Sequence, residues 1–257
     1  MIDAFAATYR QTRWERKMFW RNPALAGFTF AFPLMFLVIY AAINGNDHVH
    51  LAHGTARFAQ YYVPAILAFG LVSSCYTNLA FTISVRRDRG VLKRVRGTPL
   101  PPFVYIAGIV GNAILSAAIL SVLTIGLGVT AYGVTLPHRY LALALTILLA
   151  AFCFTACGAA IATFIPNEDA APAIVNFVLF PLLFISGAFG TIANSSAPGR
   201  VAAIFPIRHL VLQLAEVFDP SLSGSGLSWF HVGVLLAWGV FGIAVAALRF
   251  RWEPRPS

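Results

Sequence analysis

Between residues 86 and 102 the chain reads RRDRGVLKRVRGTPLPP: six cations (Arg86, Arg87, Arg89, Lys93, Arg94, Arg96) and one acid, Asp88, set between two long apolar runs. An ionised side chain at the centre of a bilayer costs about 2.5–3.5 kcal/mol on insertion scales, so this stretch lies outside the hydrocarbon. The chemistry open to it is ion pairing and the binding of acidic surfaces. Asp88 is placed to cap a short helix over 89–95, with Val91, Leu92 and Val95 on one apolar face, before Gly97 and the prolines end it. A basic helix of this kind suits docking into a groove on a partner; an interfacial helix with topogenic charge fits the same residues.

Other reactive residue types lead to weaker chemistry. A phosphate loop needs G-x-x-x-x-G-K-[ST], yet the only lysines are Lys17, after Arg16, and Lys93, after Leu92. Nucleotide hydrolysis, if it drives anything here, belongs to a separate polypeptide. His48, His50 and His53 beside Asp47 are close enough for zinc or copper, but a site needs four fixed ligands, so a solvated loop and no metal is the reading. Cys153 and Cys157 share a helix face with no nearby His and read as packing residues. No convergent acids or Ser/His pair stand at one membrane depth, so no catalytic residue is assigned. No embedded acid or cation is expected either, which argues against a proton relay. Arg208 and His209 are placed to meet an anionic headgroup at the outer interface.

The elements that carry these residues follow from composition. Of 257 residues 59% are hydrophobic and 11% charged, against about 45–50% and about 25% in soluble domains. Six apolar runs, at 24–43, 58–85, 103–132, 140–165, 172–189 and 229–248, are each long enough to cross a bilayer as a helix. The fold class is therefore all-α: a polytopic membrane protein of six transmembrane helices forming a single domain over 1–257. The net charge of +9 would suggest nucleic acid in a soluble protein. Here 14 of the 18 basic residues fall in the N-terminal segment, the 86–102 loop and the tail with Arg249, Arg251 and Arg255, which six spans place on one side, leaving Arg57, Arg139, Arg200 and Arg208 on the other. The positive-inside bias makes that side the cytoplasm, with both termini inside and no nucleic-acid partner. The 166–172 loop, PNEDAAP, shares that side without a cation. Charge extending to Arg21 argues against a cleavable signal.

In 1–23, Trp14, Met18, Phe19 and Trp20 interleave with Arg10, Arg13, Arg16 and Lys17, the pattern of an interfacial helix against anionic lipid. The region 186–228 is too polar to span but carries apolar stretches around Pro198-Gly199 and Pro206, as short amphipathic or re-entrant helices do. Residues 221–228 read as a flexible Gly/Ser link. Polar residues inside spans, among them Ser74, Thr77, Asn78, Asn112 and Asn176, need partners in hydrocarbon; hydrogen bonds between helices or a substrate path would supply them.

RRDRGVLKRVRGTPLP, through Asp88, Gly90, Leu92, Arg94, Thr98 and Pro99, resembles the cytoplasmic loop after the second span of ABC-2 type transporter permeases. The stretch 180–189, FPLLFISGAF, resembles that family's F-P-L-x-F-x-S-G at the end of span five, and 205–210, FPIRHL, its proline-containing segment before the last span. The resemblance implies the membrane subunit of an ABC exporter, similar to daunorubicin or multidrug-resistance permeases. In it the N-terminal segment is the connecting helix (Arg10, Arg13, Trp14, Arg16, Lys17) and 87–95 the coupling helix, with Arg87, Asp88, Arg89, Gly90, Leu92, Lys93 and Arg94 gripping a nucleotide-binding subunit. ATP and Mg belong to that subunit, and no cofactor to this chain. It further implies a second permease chain, identical or homologous, and an outer gate near Ser186, Gly187 and Phe189, with Phe180 and Phe184 either beside it or packing against lipid and helices; Ser74, Thr77, Asn78 and Asn176 are the polar residues that would line a path between the two chains. A lipophilic or amphipathic, drug-like substrate is expected, with glycolipid or cell-wall polysaccharide as alternative cargo. An intramembrane lipid enzyme or a passive channel is the alternative of another class. Alanine, glycine and arginine usage points to a GC-rich bacterium and its cell membrane.

Overall fold

The computed structural model describes residues 2–250 apart from 45–47, 52–53, 191, 193–194 and 223. The expectations placed on Asp47, His53, Arg251 and Arg255, and on the side chains of His48 and His50, lie outside the described residues. Helix α1 (Ile2–Trp20) breaks at Asn22-Pro23, where Asn22 Oδ1 accepts the Leu25 N–H at 3.1 Å and opens α2 (Pro23–Asn44). A short antiparallel hairpin, β1 (His48–Leu51) with β2 (Gly54–Arg57), stands where a plain loop was expected. Next, α3 (Phe58–Val72), a π-helical turn at Ser73–Thr77 and α4 (Asn78–Asp88) form one continuous rod. Beyond it come α5 (Val91–Arg96), α6 (Pro102–Tyr132), α7 (Tyr140–Ala162), α8 (Ala171–Ser186), α9 (Ala197–Ala202), α10 (Pro206–Phe218) and α11 (Trp229–Arg249).

Among the described residues five helices, Leu25–Asn44, Ala59–Asp88, Pro102–Tyr132, Tyr140–Ala162 and Trp229–Arg249, are long and apolar enough to cross a membrane. The remaining expected span is shorter than its apolar run, because Gly187, at φ +90°, ends α8 after 16 residues. The segments flanking it nevertheless reach both ends of the rod. Just before it, the Glu168 N–H donates to Asp88 Oδ2 at 2.9 Å at the basic end. Just after it, the Tyr61 hydroxyl donates to the Gly187 carbonyl at 2.8 Å, near the start of α3.

The rod and α7 are the packing centre, contacting one another and both contacting α6 and α10. Small residues permit the close approaches that replace a hydrophobic drive in lipid. A Cβ on Gly158 would lie 2.6 Å from the Tyr76 carbonyl oxygen, and one on Gly242 would lie 2.8 Å from the Ala156 carbonyl carbon, so α7 touches the rod and α11 backbone to backbone. The 186–228 region folds back as its pattern suggests. The Trp238 indole N–H donates to the Ile204 carbonyl at 2.9 Å, setting the start of α10 beside the middle of α11, while Gln60 Nε2 donates to the Phe218 carbonyl at 2.9 Å.

The described residues of 221–228 are fastened rather than free. Arg139 Nε donates to the Gly224 carbonyl at 3.1 Å, Gln213 Nε2 to the Gly226 carbonyl at 2.7 Å, and the Ser228 N–H to Gln213 Oε1 at 3.0 Å. The expectation that Arg208 and His209 face headgroups is also corrected, since both are buried. Arg208 donates to the carbonyls of Ser186 (3.2 Å) and Ile192 (2.9 Å), and His209 Nε2 donates to that of Ala203 at 2.8 Å. These carbonyls are freed by the broken backbone between α8 and α10, and they satisfy the buried N–H groups of both side chains.

Candidate functional site

At the basic end the chain turns between α4 and α5 through Gly90, whose φ of +67° no other residue type adopts cheaply. Asp88 is not the helix cap expected of it: α5 starts at Val91 with Gly90 as its N-cap residue and no side-chain cap bond, and the Asp88 carboxylate is taken by the Glu168 N–H. Leu92 anchors α5, fully buried in a cluster with Leu79, Ile83, Tyr105, Ile109 and Ala162. That anchor turns Lys93, Arg94 and Arg96 out to solvent. Thr98 Oγ1 donates to the Val95 carbonyl at 2.7 Å, and Pro101 then leads into α6.

The cations of this stretch divide by role. Arg87 is only 3% exposed and donates to the carbonyls of Ala162 (2.8 Å) and Ile165, holding the end of α7. Arg86 donates to Glu15 Oε1 at 2.8 Å, to Glu15 Oε2 at 2.6 Å and to the Tyr105 hydroxyl at 2.8 Å, so it ties α1 to α4 and α6. Arg89 is exposed and donates to Glu168 Oε2 at 2.7 Å. These bonds account for the cation-free 166–172 loop, whose acid answers the basic end's own charge. Of the residues named for coupling, Lys93 and Arg94 stand free on the surface with Arg89 beside them, while Arg87, Asp88 and Leu92 brace the turn from within.

Helix α1 has the two faces its sequence suggests. Arg10, Arg13, Trp14, Arg16 and Lys17 are exposed, with Lys17 Nζ 5.3 Å from the centre of the Trp14 ring. Its other face buries Glu15 and Phe19 against the protein, and Gln11 Nε2 donates to Glu15 Oε1 at 2.9 Å. Sequence reasoning gave Glu15 no role. The available signal was its position four residues before Phe19, on the face away from the cations.

The residues expected along a path are not gathered in one place. Phe184 and Phe189 meet at 5.2 Å, and Phe189 packs on Phe36 at 5.5 Å and Phe69 at 5.6 Å, forming an aromatic cluster beyond the end of α8. Ser186 closes the turn, its Oγ donating to the Leu183 carbonyl at 2.7 Å and accepting from the Ala188 N–H at 3.2 Å. Gly187 serves there by its left-handed backbone, since a Cβ would meet nothing closer than 3.4 Å. Phe180 and Phe184 point outward from α8, and Asn176 is half-buried on the same helix. Ser74 is satisfied within the rod by the Leu71 carbonyl at 3.2 Å, whereas the half-buried Thr77 has no partner for its hydroxyl among the described residues. Asn78 accepts from Thr82 at 3.3 Å and lines a cavity at the basic end.

A second polar group, unforeseen in the sequence, lies at the opposite end. Arg139 donates to the carbonyls of Glu216 (2.9 Å) and Asp219 (3.0 Å), and His209 and His231 share an Nδ1 to Nδ1 contact of 2.8 Å. Burial raises the pKa of the Glu216 carboxyl, with Arg139 opposing the shift.

Residues 7–218 match the family model described as "ABC-2 type transporter". Inner membrane transport permease YadH of Escherichia coli (strain K12) is 26% identical over 164 residues, covering 61% of this chain and 62% of that protein. The same-named protein of Shigella flexneri matches with the same figures. The chain thus spans about 62% of the length of these curated relatives.

Proposed function

The chain belongs to the ABC-2 type transporter family, and from that premise we propose that it is the membrane-spanning permease subunit of an ATP-binding cassette exporter in a bacterial inner membrane. A separate nucleotide-binding subunit supplies hydrolysis, with its own ATP and Mg. The basic end faces the cytoplasm, two permease chains assemble together, and the cargo is a lipophilic or amphipathic, drug-like compound.

The observation that carries this reading is α5. It is a six-residue helix whose buried Leu92 fixes it to α4, α6 and α7 while Lys93, Arg94 and Arg96 project away from the protein. A push on α5 moves the rod, because only the Arg89-Gly90 turn separates them. Its exposed charge suits an acidic groove on an ATPase.

The test is copurification from the native membrane. Lys93→Glu, Arg94→Glu and Arg96→Glu together are expected to abolish recovery of a phosphate-loop ATPase and the export it drives, while melting temperature and membrane insertion stay unchanged. An ATPase that remains bound to this triple variant would sink the coupling assignment. Conduction by the purified chain alone in liposomes would sink the exporter reading.

A further inference from the structure

Three titratable side chains make a continuous array between α10 and α11. His209 and Glu216 stand seven residues apart on α10, and so on one face, while His231 near the start of α11 reaches both of them. His209 Nε2 lies 2.8 Å from the Ala203 carbonyl oxygen, His209 Nδ1 lies 2.8 Å from His231 Nδ1, and His231 Nε2 lies 3.8 Å from Glu216 Oε1.

The array is short of one proton. A carbonyl oxygen only accepts, so His209 Nε2 carries the hydrogen of that contact, and in a neutral imidazole Nδ1 is then bare. The hydrogen between the two Nδ1 atoms therefore comes from His231, which leaves its own Nε2 bare and facing a carboxylate. Two neutral rings thus supply two hydrogens for three contacts. Those two contacts are closed at hydrogen-bond length, and the third, between two acceptors, stands open at 3.8 Å. One more proton, on Glu216 or on His231, gives that gap its donor.

Solvent reaches the array at its acid. His209 is 2% exposed and the His231 side chain 12%, whereas the Glu216 side chain keeps 37%. Burial raises the pKa of the Glu216 carboxyl, and Arg139 opposes the rise. Arg208 of α10 is the cation whose charge acts on His231, and Tyr61 of α3 stands near Arg208. Asp219, at the end of α10, is taken by the Ser221 N–H and hydroxyl. Of the other helices packed on α10 and α11, α8 has no titratable side chain and α7 has only Tyr140, Cys153 and Cys157.

We propose that His209, His231 and Glu216 form a binding site for one proton, whose occupancy latches α10 to α11 at the end of the molecule opposite the basic loop. It senses pH on that side and is not a step in a path through the bilayer. The Trp238 bond to the Ile204 carbonyl needs no proton, so an empty site releases the Glu216 end of α10 while its start stays held. The site does not rest on the export reading. A carboxyl with a raised folded pKa binds its proton more tightly folded than unfolded, so the latch adds stability at low pH and loses it as pH rises through the folded value.

The test compares the full-length wild type and Glu216→Gln in phosphatidylcholine nanodiscs. The glutamine amide offers an N–H to His231 Nε2 at every pH and so keeps the latch closed. It is expected to melt about 3 °C above wild type near pH 8, about the effect of one hydrogen bond, and level with it near pH 5. The gap is read because ion pairs at the basic end titrate alike in both chains. Repeating the pair in a His231→Phe background should abolish the gap at both pH values. A gap that survives there would make Glu216 a carboxyl shifted by burial alone and overturn the proposal, as would an equal gap at both pH values in the parent background. Nitrogen-15 histidine spectra of wild type keep the test decisive even if His231→Phe does not fold. They should show one fixed Nδ1–H tautomer near pH 8, whose bare Nε2 signal moves toward the protonated range near pH 5 in wild type but not in Glu216→Gln. Absence of that tautomer, or the same movement in Glu216→Gln, would overturn the site.

Discussion

Glu15 accepts from two nitrogens of Arg86 while only 3% of its own side chain is exposed, and the arginine side chain is 18% exposed. Breaking a buried pair from one side leaves the other charge stranded, typically at about 3–5 kcal/mol. Residual solvent access to Arg86 puts the expected loss for Glu15→Ala near the lower end, about 3 kcal/mol. Arg86→Met in the same chain should recover most of it, because the stranded charge is then gone. Thermal unfolding of the two single variants and the double variant in detergent gives the coupling directly. A cost below about 0.5 kcal/mol for Glu15→Ala would mean that α1 is held by packing alone, as surface pairs are worth little. The sequence made the Arg86–Arg96 charge conspicuous because hydrocarbon excludes it, but it could not sort those cations. Arg87 turning inward and Arg94 outward depends on where the carbonyls of Ala162 and Ile165 end up, which is a tertiary fact.

At the level of elements, backbone contact at α7 sets the bundle. Gly242→Leu drives a side chain into the Ala156 and Cys157 backbone, which has no rotamer to yield, so α11 must shift. Overpacking of this kind costs about 1–3 kcal/mol. Gly233→Leu on the same helix has nothing within 4 Å and is the control expected to be neutral. Equal melting temperatures for the two variants would contradict a close α7 to α11 contact. Helix existence was legible here because apolar runs of about 20 residues admit few alternatives in lipid. Helix ends were less so. The apolar run 172–189 continues through Gly187, Ala188 and Phe189, yet the backbone reverses at Gly187, and hydropathy does not register a sign change in φ. Asp88 looked like a cap on composition, but Gly90 made the turn and freed its carboxylate for Glu168.

For the molecule as a whole, Glu15 of α1, the α4–α5 turn, the 166–172 loop and Arg249, 5.0 Å over the Phe164 ring, gather at one end. Residues 139, 208–219 and the described part of 221–228 gather at the other. Native thiols give little background, since Cys75 and Cys153 are buried and Cys157 half-buried. Lys93→Cys is therefore expected to react with a membrane-impermeant maleimide only in inside-out vesicles, and Ser221→Cys only in right-side-out cells. The reverse pattern would invert the proposed orientation. One consequence concerns the lipid rather than the protein. The 16 residues of α8 cover about 24 Å against a hydrocarbon core of about 30 Å. Acyl chains beside α8 must shorten or tilt to match it, so the bilayer dimples along that flank. Any hydrophobic molecule crossing there would meet the thinnest oil in its surroundings.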